Sequence, residues 1–413
     1  MTIANIISAI GNNSSIYPLL VRDCGIENPT KVFLTYNQNK KESKKVAYLA
    51  TRERAIDEYA TSAVWLGGIP VVGYFCDKFI KSKGLNPNIN LKLLKKDAFQ
   101  GIDYNIKKFA QSAPEAVQDL IKAKNNKKLL QKLTAYKFIV STSIPILFMG
   151  FILPKMIFKS SENKVKKLKE QEKALLKNDY VQKDRFFSIN PSFKGNWVAK
   201  AANFSAQDKM AVTDCGYAIG RISTARNKNE TIDIAFKMAG MMFLNFVAPK
   251  WIEKGLNKIT GIELDPVILA DKKFAEQIKQ NNFVLPKSAD AKDLFAFIDN
   301  ISNKDTLFIK YAKKFSDLKM LENGVRDPRA YVDVKKLAKL TDDLNNFVFR
   351  AKGLSEADLN LFIKKAKMSK YTNILTNVVL SSFLLAYGLP KVQYAFRQVV
   401  TKSPLEPGLA ENA

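Results

Sequence analysis

The chain of 413 residues contains no histidine. That absence removes imidazole general bases, Ser-His-Asp and Cys-His constellations, and every His-bearing zinc or non-haem iron site. Cysteine is nearly absent too: Cys24, Cys76 and Cys215 are odd in number, far apart and form no C-x-x-C pair. That argues against a disulfide framework and against a structural zinc site. The opening MTIANIISAIGNNSS has no basic stretch ahead of its short apolar run and no A-x-A-like site after it. It is not read as a secretory signal, and a reducing setting facing the cytoplasm is expected.

Further absences concern chemistry. The sequence has no G-x-x-x-x-G-K-[ST] phosphate loop, no G-x-G-x-x-G, no G-x-S-x-G elbow and no EF-hand loop. Asp57-Glu58 and Asp342-Asp343 are adjacent acids, but neighbours on a helix point apart and do not share a metal or a water. No catalytic, metal or cofactor residues are assigned, and the chain is expected not to be an enzyme.

Acid is also scarce. Lys and Arg number 66 against 39 Asp and Glu, a formal charge of +27. Only ten of the basic residues are Arg. Forked recognition of bases and phosphates relies on Arg, whereas Lys supplies diffuse positive charge. The excess therefore fits an anionic membrane surface better than sequence-specific DNA, although an AT-rich coding sequence would enrich Lys and Asn in the same way. Nucleic acid is disfavoured as a partner; anionic lipid, other membrane proteins or a second copy of the chain are the expected ones.

What the sequence does have is four windows without charge, at 60–76, 138–154, 238–249 and 371–390. A helix of about 20 apolar residues crosses the hydrocarbon core. The 138–154 window meets that requirement most clearly; the third is short, with Asp233 and Lys237 just ahead of it. Gly67, Gly68, Pro70, Pro145, Gly150 and Gly240 interrupt the windows. Three of them close on Leu153-Pro154-Lys155, Ala248-Pro249-Lys250 and Leu389-Pro390-Lys391, and the first on Cys76-Asp77-Lys78. Lys78, Lys155, Lys250 and Lys391 are thus expected at the membrane interface, where a lysine can snorkel or answer the negative end of a helix. Buried core helices of a soluble protein would read similarly.

The charge does not alternate between successive loops. Residues 77–137 carry +9, 155–210 carry +7 and 250–370 carry +7. Loops of +9 and +7 flank the strongest window on both sides, so either these long loops escape the charge rule or the segments dip in and return. Partial re-entrance or paired helical hairpins are expected, with the hydrophilic parts mainly facing the cytoplasm at the cytoplasmic membrane.

A shift of 172 residues aligns Arg54 with Arg226, Glu58 with Glu230, Gly68 with Gly240 and Lys78 with Lys250. Asp23-Cys24-Gly25 is echoed by Asp214-Cys215-Gly216 at a different spacing. Two related halves are inferred, each with two hydrophobic segments. The Arg54/Glu58 and Arg226/Glu230 pairs lie four apart on one helix face. They are candidates for interfacial ion pairs that fix the packing of the halves, or simply solvated pairs of small energy.

The hydrophilic parts carry helical periodicity. Residues 159–177 are a strongly charged amphipathic run, and 262–370 is punctuated by Asp265-Pro266, Ser288, Asp327-Pro328, Gly353 and a Ser355/Asp358 capping box. KVFLTY at 31–36 is the one stretch read as a short strand.

The resulting expectation is an all-α, membrane-associated helical protein. It comprises a first half at 1–158, a basic linker at 159–205, and a second half at 206–413 with a soluble helical module inserted at about 262–370. The leading function is a non-enzymatic scaffold or interaction protein with a lysine-rich face toward anionic lipid. A small transporter or permeation protein built from two related halves is the alternative, and a soluble helical protein binding nucleic acid non-specifically is the third.

Overall fold

The computed structural model describes residues 2–12, 17–40, 44–157, 159–160, 206–225 and 227–400. The basic linker, apart from residues 159–160, and Arg226 lie outside them. The described chain is all-helical and contains no strand, only an isolated antiparallel bridge between Met320 and Arg326. The expected strand at 31–36 is instead part of the helix Asn28–Asn39. Its β-branched and aromatic residues are overruled locally: Pro29 presets the first turn, Lys31 pairs with Glu27 one turn earlier, and the Thr30 and Thr35 hydroxyls bond the carbonyls four residues back.

Four helices are long and apolar enough to cross a membrane: Ala47–Ser82, Lys127–Ile157, Lys228–Thr260 and Glu356–Val400. At 1.5 Å per residue even the shortest measures about 46 Å, beyond the roughly 30 Å of a hydrocarbon core. Only 17–44% of their most apolar stretches is buried inside the molecule. Val71, Phe75, Leu147, Trp251, Val379 and Phe383 all stand outward, each more than half exposed. A core helix of a soluble protein would hide such residues; a lipid-facing helix would not.

The prolines do not end these helices. Wide, π-type turns occupy Val21–Glu27, Val64–Gly68, Phe148–Ile152 and Leu384–Gly388. Each is followed at once by an X-Pro step, with Pro29, Pro70, Pro154 and Pro390 in second position. Proline has no N–H to give and its ring collides with the carbonyl four residues earlier. Widening the preceding turn removes the collision and lets the helix run on. The third long helix accommodates Pro249 by a distorted turn at Val247 (φ −108°, ψ −56°).

The first long helix packs on the second and the third on the fourth, and the helix Ala206–Ser223 lies against both the second and the third. Glycine makes that last placement close. A Cβ on Gly220 would sit 2.8 Å from the Gly150 Cα, and one on Gly216 would sit 2.5 Å from Ile146 Cδ1. Gly216 and Gly220 are four apart, a small-residue stripe that lets backbones meet.

Outside the long helices, Ile262, Phe274, Leu294, Phe308, Leu337 and Leu344 belong to one apolar core extending to Ala366. A second core draws on Ile80, Leu93, Leu120 and Leu130. The two hydrophilic loops that own these cores are fastened together. The Gln100 side chain donates to the Val332 carbonyl and accepts from its N–H, and Asn105 donates to the Pro328 carbonyl. Arg326, 1% exposed, donates to both Asp299 oxygens and lies 5.0 Å from the ring centroids of Phe109 and Phe295. Residues 77–137 and 250–370 thus form a single hydrophilic body.

Helix starts follow local chemistry with small offsets. Ser355 caps its helix by accepting from the Asp358 N–H, and Asp265 caps Pro266–Leu269. Gly353 takes the left-handed conformation (φ +81°) that closes the preceding helix. Asp327-Pro328 forms a turn held by Arg329, whereas the helix expected there starts at Val334 with Asp333 as its cap. Ser288 accepts from the N–H of Asp290, the residue that precedes the helix Ala291–Ile298.

Candidate functional site

The most unusual feature of the bundle is a set of charged side chains buried where the first, third and fourth long helices meet Ala206–Ser223. Asp57 and Glu58 are each 8% exposed. Being adjacent on a helix, they face different partners. Asp57 accepts from Arg221, which also donates to the Tyr217 hydroxyl. Glu58 is approached by Arg54 at 3.0 Å, by Lys31 at 3.4 Å and by Lys237 at 3.4 Å. Lys31 is held in turn by Glu27.

Across the chamber Asp233 takes both arms of Arg397, with Nε donating at 2.5 Å and Nη2 at 2.6 Å, and receives a third bond from Gln393 at 2.8 Å. The third long helix thus supplies an acid and a base one turn apart, Asp233 and Lys237, and each answers an opposite charge on another helix. Their cost in an apolar segment is offset by partners that only the fold brings near.

A cavity of about 100 Å³ lies among these groups, lined by Asp57, Arg221, Asp233, Lys237, Gln393 and Arg397, among others. A smaller one, about 40 Å³, lies on the far side of Tyr217 and Met238, the two residues that line both. It is walled by Trp65, Met149, Met241 and Met242 and bordered by the acids Asp23, Glu27, Glu58 and Asp214. Among the described residues, no three His, Cys, Asp or Glu side chains are grouped so as to hold a metal ion. All three cysteines are free.

The residues singled out from sequence fall in different places. Arg54 and Glu58 form their i, i+4 pair at the edge of the chamber, and Glu58 is buried rather than solvated. Glu230 also lines the larger cavity, but its intended partner Arg226 lies outside the described residues. Lys78 stands over the exposed ring of Tyr74 at 4.9 Å and Lys391 over Tyr387 at 5.4 Å. Lys155 and Lys250 are exposed. None of these four lysines joins the chamber.

Sequence reading missed Asp57, Arg221, Asp233, Lys237, Gln393 and Arg397 as a group. One signal was available: ionisable residues at the ends of apolar windows, where solvation is poor. No family model, curated protein or solved structure matches the chain.

Proposed function

We propose that the chain is an integral membrane protein whose four long helices cross the bilayer around a chamber that binds and passes a small polar solute carrying both signs of charge. The observation that carries this reading is the convergence of Asp57, Arg221, Asp233, Lys237 and Arg397 on one cavity, from three apolar helices and the helix beside them. Ionisable groups inside a membrane bundle are expensive, face its interior and mark solute or ion paths. With both signs lining the cavity, a solute bearing both can exchange its charges for those of the resting ion pairs.

Two further features support the reading. Wide turns and proline steps interrupt the long helices near the two cavities, as the discontinuous helices of transporters do around their sites. Each half of the chain supplies part of the charge set: Arg54, Asp57 and Glu58 come from the first, and Asp233, Lys237 and Arg397 from the second. An origin as two related halves accounts for that sharing. If all four helices cross, the fused hydrophilic body, whose loops carry +9 and +7, lies opposite residues 155–210, which carry +7, and the larger total favours the cytoplasmic side for the body.

The test has two stages. Membranes washed with carbonate should retain the chain, and release into the supernatant overturns insertion. Proteoliposomes should then take up members of a panel of labelled zwitterions, such as amino acids and betaines. Uptake no faster than in protein-free vesicles, across the panel, overturns passage.

A second reading, a scaffold on anionic lipid, is favoured by one separate observation. Lys78, Lys83 and Lys391 each cover an exposed aromatic ring near the end of a long helix, the arrangement of an interfacial belt. It predicts co-flotation with phosphatidylserine vesicles that is lost in high salt.

A further inference from the structure

The smaller cavity is bordered by several polar groups that are not satisfied; in the charged chamber Asp57 Oδ1 is bare as well, but there Arg221 holds the other oxygen of the same carboxylate. Asp23 Oδ1, Asn245 Oδ1, Thr61 Oγ1 and Trp65 Nε1 all lack a hydrogen-bond partner. Asp23 and Asn245 are only 8% and 7% exposed. A buried carboxylate oxygen left bare costs far more than one that is paired, so its presence beside a cavity asks for a ligand. The other acids on the wall are engaged or set apart. Glu27 is tied to Lys31, and Glu58 is shared by Lys31, Arg54 and Lys237. Asp214 faces the cavity with no basic partner among the described ion pairs.

The two unpaired acids are the ones that the sequence repeats. Asp23-Cys24-Gly25 and Asp214-Cys215-Gly216 are distant in the chain, yet their aspartates reach the same cavity. We propose that this cavity is a binding site for a sodium-sized monovalent cation, held by the carboxylates of Asp23 and Asp214 and the neutral oxygens of Thr61 and Asn245. The donors are all oxygen, which suits a hard cation. No third acid joins these two carboxylates at metal-holding spacing among the described residues. A volume of about 40 Å³ exceeds the roughly 10–15 Å³ that one water requires, so it admits an ion with a water that can accept the Trp65 N–H. Met149, Met238 and Met241 supply apolar wall beside these oxygens.

The inference does not require solute passage; a chain that binds sodium and moves nothing leaves it standing. The full chain in detergent is tested at constant ionic strength in sodium chloride against N-methyl-D-glucamine chloride. Sodium should raise the unfolding midpoint saturably, by about 2 °C or more for a chain of this size. Asp23→Asn and Asp214→Asn should each lose that rise, while Asp271→Asn, remote in the hydrophilic body, should keep it. Equal midpoints of the wild type in the two salts, or an undiminished rise in both cavity variants, overturn the site. Should a cavity variant not fold, sodium-23 NMR of the wild type decides: line broadening beyond a detergent blank is expected, and none overturns the proposal.

Discussion

Asp233 and Arg397 join the third and fourth long helices by a two-armed, fully buried ion pair, 6% and 3% exposed, with Gln393 adding a third hydrogen bond to the same carboxylate. Removing one partner strands the other charge in an apolar bundle, which typically costs about 3–5 kcal/mol. Arg397→Ala and Asp233→Ala should therefore each lower resistance to chemical unfolding by that amount. The double variant Asp233→Leu/Arg397→Met, which leaves no charge behind, should lose clearly less than either. A double variant as weak as the sum of the singles would contradict the pairing.

Gly150 and Gly220 place the backbones of the second long helix and Ala206–Ser223 in direct contact. No side-chain rotamer can relieve an atom added there, because the nearest neighbour of a Gly220 Cβ, at 2.8 Å, is the Gly150 Cα itself. Gly220→Leu should cost at least about 1–3 kcal/mol, the usual range for overpacking, and displace Arg221 from Asp57. Gly255, with nothing within 4 Å of its would-be Cβ, is the open-site control. Gly255→Ala should be neutral to slightly stabilising by helix propensity. The two variants are compared by unfolding in detergent.

The long helices were legible because absence of charge over a dozen or more residues is a local property, and so were the proline steps within them. What happens at those steps was less so: a proline reads as a stop, and only a widened turn such as Val64–Gly68 turns it into a passage. The charged chamber was hidden for a different reason. Arg54 and Glu58 are four apart and could be paired by eye, but Asp57 meets Arg221, Glu58 meets Lys237 and Asp233 meets Arg397 across more than 160 residues of sequence. In the sequence, Asp233 and Lys237 appear only as a penalty on the third window. The strand reading of 31–36 failed because Lys31 is answered one turn earlier by Glu27, a contact of helix spacing that outweighs short-range β-propensity.

Sidedness follows from the contact between the two loops. Gln100 with Val332 and Asn105 with Pro328 hold residues 77–137 and 250–370 in one body, so both must share a side of any membrane the helices cross. In a chain whose native cysteines are replaced, single cysteines at the exposed positions Lys122 and Lys335 should react with an impermeant maleimide from the same face. Four complete crossings predict that cysteines at 160–185 react from the opposite face. Labelling of all three from one face would restore re-entrance.

Asp271 gives the hydrophilic body a defined response to acid. It caps the helix Lys272–Lys279 through the Lys273 N–H, and receives Lys310 at 2.6 Å and the Tyr311 hydroxyl at 3.0 Å. Burial by itself would raise its pKa, but the bonds from Lys310 and Tyr311 outweigh burial and hold the carboxyl below its ordinary value. A carboxyl whose folded pKa lies below its unfolded value, about 3.9, contributes stability that is complete above that value and fades as pH falls through the lower folded one. The thermal midpoint of the body, followed by near-ultraviolet circular dichroism of its tyrosines, should therefore fall between about pH 4 and the folded value. Asp271→Asn should remove this group's share of the slope and lower the midpoint at pH 6, where the charge pair with Lys310 is intact in the wild type. Equal slopes in the two proteins would show that the pair with Lys310 does not survive in solution.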